Sequence, residues 1–212
     1  MELTKVVTDD GSITLYNSAY GEAYHSISGA EEEAIKKYAE VCKEQLQRNV
    51  RILDVCFGLG YNTAAALDAA QGTVEVVGLE NDEVILQKIL EMTTRFANYP
   101  LVQRCVQKKS RVHAEKKAQL KIMLGDARET IKRLDKDHFD VVFFDPFSPK
   151  KCPELWTEEF FREVCRVMRK GGVLATYSCA AAVRENMRST GFAVKDGPCV
   201  GRNSPGTIAV KK

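Results

Sequence analysis

From Arg51 onward, short and uniformly apolar runs alternate with longer stretches in which apolar residues return every three or four positions. The apolar runs predict strands over 52–56, 74–79, 120–124, 139–144, 173–177, 192–194 and 207–210. The longer periodic stretches predict helices over 61–70, 82–96, 127–134, 158–168 and 180–189. Strands apolar on both faces and separated by helices imply a mostly parallel sheet covered on both sides. The last two strands are linked by a turn-rich segment, Gly197-Pro198 to Pro205-Gly206, that holds no crossover helix, so they should pair antiparallel.

Before Arg51 the pattern differs. Val6-Val7-Thr8 and Ile13-Thr14-Leu15 flank Asp9-Asp10-Gly11-Ser12, a hairpin signature in which glycine supplies the positive φ of a tight turn. An aromatic-rich segment without period, Tyr16 to His25, follows. Ser28-Gly29-Ala30-Glu31 then reads as a capping box for a helix carrying Ile35, Tyr38, Cys42 and Leu46 on one face. The expected organisation is a hairpin and aromatic segment over 1–28 and an α/β domain over 29–212.

Composition narrows the class. At 44% hydrophobic and 28% charged residues, the chain sits near the globular average. Its longest core-like run, Val141-Val142-Phe143-Phe144, falls far short of the ~18 residues of a membrane span. Met1-Glu2-Leu3-Thr4-Lys5 has no basic cap followed by an apolar segment, so neither membrane insertion nor secretion is expected. The net charge of +2 says nothing by itself about partners. Seven cysteines are spaced for neither a zinc site nor a redox pair, which suggests a reduced, cytoplasmic chain. His25, His113 and His138 form no pair at ligand spacing, so no metal site is expected.

The chemistry gathers at the carboxyl ends of the strands, where open α/β sheets bind ligands. After the first strand comes Cys56-Phe57-Gly58-Leu59-Gly60-Tyr61-Asn62, whose glycines permit a sharp bend and close approach to a ligand. Cys56, Gly58, Gly60 and Asn62 are therefore candidate cofactor contacts. Glu80 ends the second strand about 20 residues beyond the glycines, placed to accept hydrogen bonds from ribose hydroxyls; Asp82 is the better helix cap. Asp126 ends the third strand, where a carboxylate can take the adenine amino group or cap the next helix. The loop lacks a complete G-x-G-x-x-G, which favours S-adenosylmethionine over a pyrophosphate-bearing dinucleotide. Asp145, after the fourth strand, faces the cofactor's reactive end. It can orient a substrate amine toward the methyl group, and the adjoining Phe147 can pack on a flat substrate. A proline-rich turn with a capping Asp is the simpler explanation of that segment.

These residues resemble a known family. Phe144-Asp145-Pro146-Phe147-Ser148-Pro149-Lys150-Lys151-Cys152-Pro153-Glu154-Leu155-Trp156-Thr157 is similar to the F-D-A-F-S-P-x-x-N-P-E-M-W-T block of MnmC-type tRNA methyltransferases. Tyr24-His25-Ser26 and Gly29-Ala30-Glu31-Glu32 resemble that family's Y-F-S and G-L-E-E segments, and Val55-Cys56-Phe57-Gly58-Leu59-Gly60-Tyr61-Asn62 matches its E-x-G-F-G-T-G-L-N loop in spacing. The resemblance implies a class I S-adenosylmethionine-dependent methyltransferase: a Rossmann-like, seven-stranded, mostly parallel sheet with an antiparallel C-terminal strand, preceded by a small N-terminal β-hairpin. It implies methyl transfer to the 5-aminomethyl nitrogen of a tRNA wobble uridine, giving 5-methylaminomethyl-(2-thio)uridine, with a separate enzyme supplying the aminomethyl substrate. The bifunctional bacterial members carry an FAD-dependent oxidase domain that 212 residues do not accommodate, so a stand-alone methyltransferase domain is expected. Pro146 replaces Ala, Cys152 replaces Asn, and Arg202-Asn203-Ser204-Pro205 replaces a basic K-R-E-M-like ending.

A tRNA partner, engaged at its anticodon region, needs a basic approach surface. Arg104, Lys108 and Arg111 are expected on one helical face, with Lys116, Lys117 and Lys121 behind them, so Lys108, Lys116 and Lys117 are candidate phosphate contacts. A solvated helix face is the simpler account of the stripe. Tyr24, with Tyr16 and Tyr20, is a candidate for stacking a splayed base, or for core packing. Two rival functions remain: a polyamine aminopropyltransferase, against which stands the absence of a G-G-G-D-G-G-like loop, and a non-catalytic RNA-binding module, against which stands the intact Glu80, Asp126 and Asp145 set.

Overall fold

A computed structural model describes residues 2–201 and 203–212; Met1 and Arg202, one in the N-terminal pentapeptide and the other in the divergent basic ending, lie outside the described residues. The N-terminal hairpin forms as expected. β1 (Leu3–Val7) and β2 (Ile13–Asn17) pair antiparallel from Leu3↔Asn17 to Val7↔Ile13, and a short β3 (Glu22–Ala23) adds to β2.

A continuous helical stretch follows. It comprises α1 (Ala30–Glu33), a π-helical segment (Ala34–Ala39), a 3-10 turn (Glu40–Cys42) and α2 (Lys43–Leu46). Its start corrects the capping-box expectation. The N-cap is Gly29, Ser28 bonds to Ser26, and Glu31 turns away to Arg95. The orphan amides of the first turn are capped from the hairpin instead: Ala30 N–H donates to Ser12 Oγ at 3.0 Å and Glu32 N–H to Asp10 Oδ2 at 3.1 Å. In the π segment the Glu40 amide bonds five residues back to the Ile35 carbonyl. This wider turn leaves Ile35 exposed while Tyr38, Cys42 and Leu46 stay buried.

The main sheet is built from β4 (Val50–Val55), β5 (Val74–Glu80), β6 (Val112–Ala114), β7 (Ala118–Leu124), β8 (Phe139–Phe144), β9 (Met168–Thr176), β10 (Phe192–Asp196) and β11 (Thr207–Lys211). Among the described residues, the order is β10-β11-β9-β8-β4-β5-β7-β6. The run from β7 through β5, β4 and β8 to β9 is parallel, and β11 pairs antiparallel with both β9 and β10. The helices α3 (Tyr61–Ala69), α4 (Glu83–Ile89), α5 (Tyr99–Gln107), α6 (Ala127–Thr130), α7 (Glu158–Val167) and α8 (Ala181–Ser189) occupy the connections. Alternate residues of the central strands feed two cores. Ile52, Val76, Val141 and Phe143 face one, while Leu53, Val77, Val142 and Phe144 face the other with Phe160, Phe161 and Val164 of α7.

Three expectations are corrected. The sheet has an eighth strand, the antiparallel edge strand β6, in a segment whose charge hid its strand character. The helix expected over 82–96 ends at Ile89; beyond it Thr94 Oγ1 accepts the Phe96 amide and Arg95 N–H donates to Glu31. The basic helical face does not exist as one surface, because α5 ends at Gln107, Lys108 is extended, and Arg111 takes φ 49 before β6. Among the described residues, no helix is long and apolar enough to cross a membrane.

Candidate active site

The carboxyl ends of β4, β5 and β8 meet at one edge of the sheet, and there the chain builds a cavity of about 620 Å³ roofed by residues 20–27. β4 leads into α3 through a loop containing Cys56 (φ 65), Gly58 (φ 54) and Gly60 (φ 73). A Cβ on Gly60 would lie 2.8 Å from Val102 Cγ1, and one on Gly58 3.3 Å from Tyr24 Cδ1, so the loop needs glycine for both backbone conformation and close approach. Cys56 adopts the same left-handed region without glycine's freedom, at the position where the resembled loop carries Gly.

Glu80, at the tip of β5, reaches across to this loop. Its Oε2 accepts the Gly58 N–H at 2.8 Å, and its Oε1 accepts the Asn81 and Asp82 amides at 2.8 and 2.9 Å. Burial pushes its carboxyl up, while the three amides pull the other way. A carboxylate offers about four lone-pair positions, so ribose hydroxyls arriving here would share an acceptor already engaged by the backbone. Asp82 caps α4 by accepting the Val84 amide at 2.8 Å, as expected.

Asp145 lies just beyond β8, its own amide bonded to the Val55 carbonyl at 3.2 Å. The Tyr38 hydroxyl donates to Oδ1, and Asn62 Nδ2 donates to Oδ2 at 2.8 Å. Burial pushes its carboxyl up to about 7, and the nearby Glu33 adds repulsion; Tyr38, Asn62 and Lys37 act in the opposite direction. Asn62 Oδ1 is buried without a hydrogen-bond partner, an orphan acceptor beside the carboxylate. Behind Asp145, Lys37 Nζ and Glu33 Oε1 form an ion pair at 2.6 Å with side chains only 3% and 9% exposed, and Glu33 Oε2 accepts the Ser26 amide at 2.7 Å.

The roof is aromatic and polar. Phe147 stacks on Tyr20, with ring centroids 4.3 Å apart, and touches Tyr24 at 5.0 Å. Glu22 accepts the Ser148 amide at 2.9 Å and its hydroxyl, tying β3 to the loop after β8. His25 stacks on Tyr61, its Nδ1 lies 3.0 Å from Thr14 Oγ1, and burial drops its pKa to about 4 against the pull of Glu33. The imidazole is therefore neutral near pH 7.

Of the residues singled out from sequence, Cys56, Gly58, Asn62, Glu80, Asp145, Tyr24 and Phe147 line this cavity, and Gly60 packs behind it. Asp126 does not line it. Its carboxylate accepts the Arg128 amide at 2.8 Å and pairs with that guanidinium at 2.6 Å, and these bonds hold it below the usual carboxylate range. Lys108, Lys116 and Lys117 do not line it either. Lys116 and Lys117 precede β7, a seven-residue strand, and so stand about 20 Å from its ligand end. Sequence reasoning missed Glu22, His25, Glu33 and Lys37 as cavity residues, and Tyr38 as the partner of Asp145. All lie before the first parallel strand, where strand-end logic does not look; the aromatic segment without period was their one visible signal.

Known proteins fit this arrangement. Residues 89–212 match the family described as S-adenosyl-L-methionine-dependent methyltransferase. An uncharacterised protein of Methanocaldococcus jannaschii is 35% identical over 211 residues, covering 97% of this chain and 59% of that protein. The tRNA 5-methylaminomethyl-2-thiouridine biosynthesis bifunctional protein MnmC of Aromatoleum aromaticum is 29% identical over 210 residues, 90% of this chain and 32% of that one. The chain thus spans less than two thirds of the first relative and about a third of the second. The crystal structure of MNMC2 from Aquifex aeolicus superposes with a TM-score of 0.81 at 33% identity, covering 100% of this chain and 71% of that one. The protein belongs to the S-adenosyl-L-methionine-dependent methyltransferases, and its α/β fold is the class I fold of that family.

The cofactor is S-adenosylmethionine, and the cavity suits it. Among the described residues, Glu22, Glu33, Glu80, Asp82 and Asp145 line the cavity against a single cation, Lys37. An acidic enclosure with an orphan acceptor favours a ligand carrying a sulfonium and an ammonium. Gly58 and Glu80 would hold its nucleoside, with Asn62 and Asp145 toward the reacting end.

Proposed function

We propose that this protein methylates the 5-aminomethyl nitrogen of the wobble uridine in tRNA, giving 5-methylaminomethyl-(2-thio)uridine, on a substrate supplied by a separate enzyme. The observation that carries this reading is Asp145, a half-buried carboxylate fixed by Tyr38 and Asn62 in an acidic cavity beside a stacked aromatic pair. When bound, S-adenosylmethionine supplies a methyl group on a positively charged sulfur. The protein's task is to present a neutral amine to it. A primary alkylamine arrives mostly as ammonium, which the acidic lining favours. With its carboxyl raised to about 7, Asp145 is matched to accept that proton near neutral pH, beyond the orienting role expected from sequence. The hydrogen bonds from Tyr38 and Asn62 hold the carboxylate in one orientation, so the freed lone pair keeps its direction.

Phe147, Tyr20 and Tyr24 offer flat faces for a pyrimidine. An acidic cavity repels phosphates, so a single unstacked base would enter while the backbone stays outside, the usual mode of single-stranded RNA recognition. The relatives named for 5-methylaminomethyl-2-thiouridine biosynthesis support the RNA substrate. A tRNA substrate and seven free thiols fit a reducing, cytoplasmic setting. The test is nucleoside analysis. tRNA from cells lacking the protein should accumulate 5-aminomethyluridine derivatives, and adding the protein with S-adenosylmethionine should convert them. Normal modification in the deletion strain, with no conversion in vitro, would refute the reading.

A further inference from the structure

The Glu33–Lys37 pair is the least expected feature of the cavity. It is buried and lies beside Asp145. Buried ion pairs add little to stability, because desolvation offsets their attraction, so stability gives this pair no clear reason to exist. Its placement has a structural cause: the π-helical segment Ala34–Ala39 brings the successive residues Lys37 and Tyr38 inward together, one to Glu33 and the other to Asp145. Single-turn π segments recur at functional sites for this kind of reason.

Hydrogen-bond capacity indicates what the pair receives. An ammonium group has three donors, and Lys37 spends one on Glu33 Oε1. Among the described residues, no further acceptor engages it. Asn62, whose Nδ2 donates to Asp145, keeps an Oδ1 that is an acceptor with no donor. The cavity therefore offers one buried cation with free donors and one buried neutral acceptor, flanking the reactive carboxylate. That is the complement of an α-amino acid zwitterion.

We infer that Lys37, held by Glu33, receives the carboxylate of the cofactor's methionine moiety and Asn62 Oδ1 its ammonium, so that the site discriminates against decarboxylated S-adenosylmethionine. The inference rests on the methyltransferase assignment and is independent of the RNA. Glu33 acts here as a positioning residue that fixes Lys37. Because the two cofactors differ only in the carboxylate, Lys37 separates a methyl donor site from an aminopropyl donor site.

Calorimetric titration of both cofactors, without RNA, tests this. The parent should bind S-adenosylmethionine at least about 10-fold tighter than the decarboxylated form, given the ordinary worth of a charged hydrogen bond. Lys37→Met should weaken S-adenosylmethionine by about 10–100-fold and leave the decarboxylated form within a few-fold. Since Lys37→Met strands Glu33 as a buried charge, the double variant Glu33→Gln/Lys37→Met provides a neutral pair of similar shape and should show the same loss of preference. Equal weakening of both ligands would make the pair merely structural, and an unchanged preference would place the carboxylate elsewhere; either result overturns the proposal. A parent that binds both cofactors but fails to modify tRNA would sink the RNA assignment and leave the Lys37 test intact. A parent that binds neither would overturn the cofactor cavity itself.

Discussion

At Asp145, burial and hydrogen bonding work against each other, and the balance sets its chemistry. Burial and Glu33 raise the carboxyl to about 7, while Tyr38 and Asn62 preserve its geometry. Proton acceptance needs the ionised form, so kcat/KM should rise with pH through about 7 and then level off, while the cofactor's positive charge moves that limb to lower pH at saturation. Asp145→Asn keeps shape and one acceptor but loses the charge; it should slow methylation by ~10²-fold and remove that limb of the pH profile. A rate within a few-fold of the parent would leave Asp145 as a turn residue only. Cys56 illustrates a different constraint. At φ 65 any side chain is strained, a β-branched one most of all. Cys56→Val should lower stability by about 1–3 kcal/mol in urea denaturation, whereas Cys56→Gly should come out within about 1 kcal/mol of the parent. Equal stability of the two variants would show that the loop relaxes around the larger residue.

Elements settle what residues alone leave open. The α1 start is capped by Asp10 and Ser12 of the hairpin turn rather than by its own Ser28 and Glu31. Asp10 is also held down to about 2: burial raises its carboxyl, but hydrogen bonds from Ser12, Thr8 and Glu32 more than reverse that. A carboxyl lowered in the folded state contributes stability that is complete above its ordinary value near 4 and is lost as pH falls through about 2. Asp10→Ala should therefore cost about 1–2 kcal/mol at neutral pH, by analogy with the removal of other helix caps, and the gap from the parent should shrink between pH 4 and 2. A gap that stays constant across that window would remove the charge from the account. The same joint shows the limits of sequence. Periodicity located the parallel strands and four of the five helices expected after Arg51 to within a few residues, the one after Glu80 being overlong, because uniformly apolar strands are a local signal. Glycine spacing and strand-end acids located Gly58, Glu80 and Asp145 for the same reason. The capping of α1 and the bond from Tyr38 to Asp145 depend on contacts across tens of residues, which no local pattern encodes. Asp126 takes the capping role that its sequence position also allowed, accepting the Arg128 amide at the start of α6 and pairing with the same residue's guanidinium.

Across the whole molecule, charge is divided by place rather than by net value. The chain carries +2, yet the cavity is lined by Glu22, Glu33, Glu80, Asp82 and Asp145 against Lys37 alone among the described residues. Such a site attracts cationic ligands and repels a polyanion, so any RNA must be anchored by cations at the rim. The lysines of the basic stripe are poorly placed for this: Lys116 and Lys117 sit at the far end of β7, and Arg104 of the same stripe is already paired with Glu115. Better placed are Lys150 and Lys151, exposed in the loop that carries Phe147 and Ser148. A Cβ on Gly21 would lie 3.3 Å from Lys151 Nζ, which sets that ammonium over the roof of the cavity. Neither lysine forms an ion pair among the described residues, so both charges are free to meet phosphate. Lys150→Ala/Lys151→Ala should weaken tRNA binding and flatten its dependence on salt, by about 0.7–0.9 in log–log slope for each phosphate no longer neutralised. Cofactor affinity should not move, because neither side chain lines the cavity. Lys116→Ala/Lys117→Ala is the control at the opposite end of the sheet and should change the slope less. If the control flattens the slope and the rim pair does not, the RNA runs along the β6–β7 edge, and the base must reach Asp145 from that side.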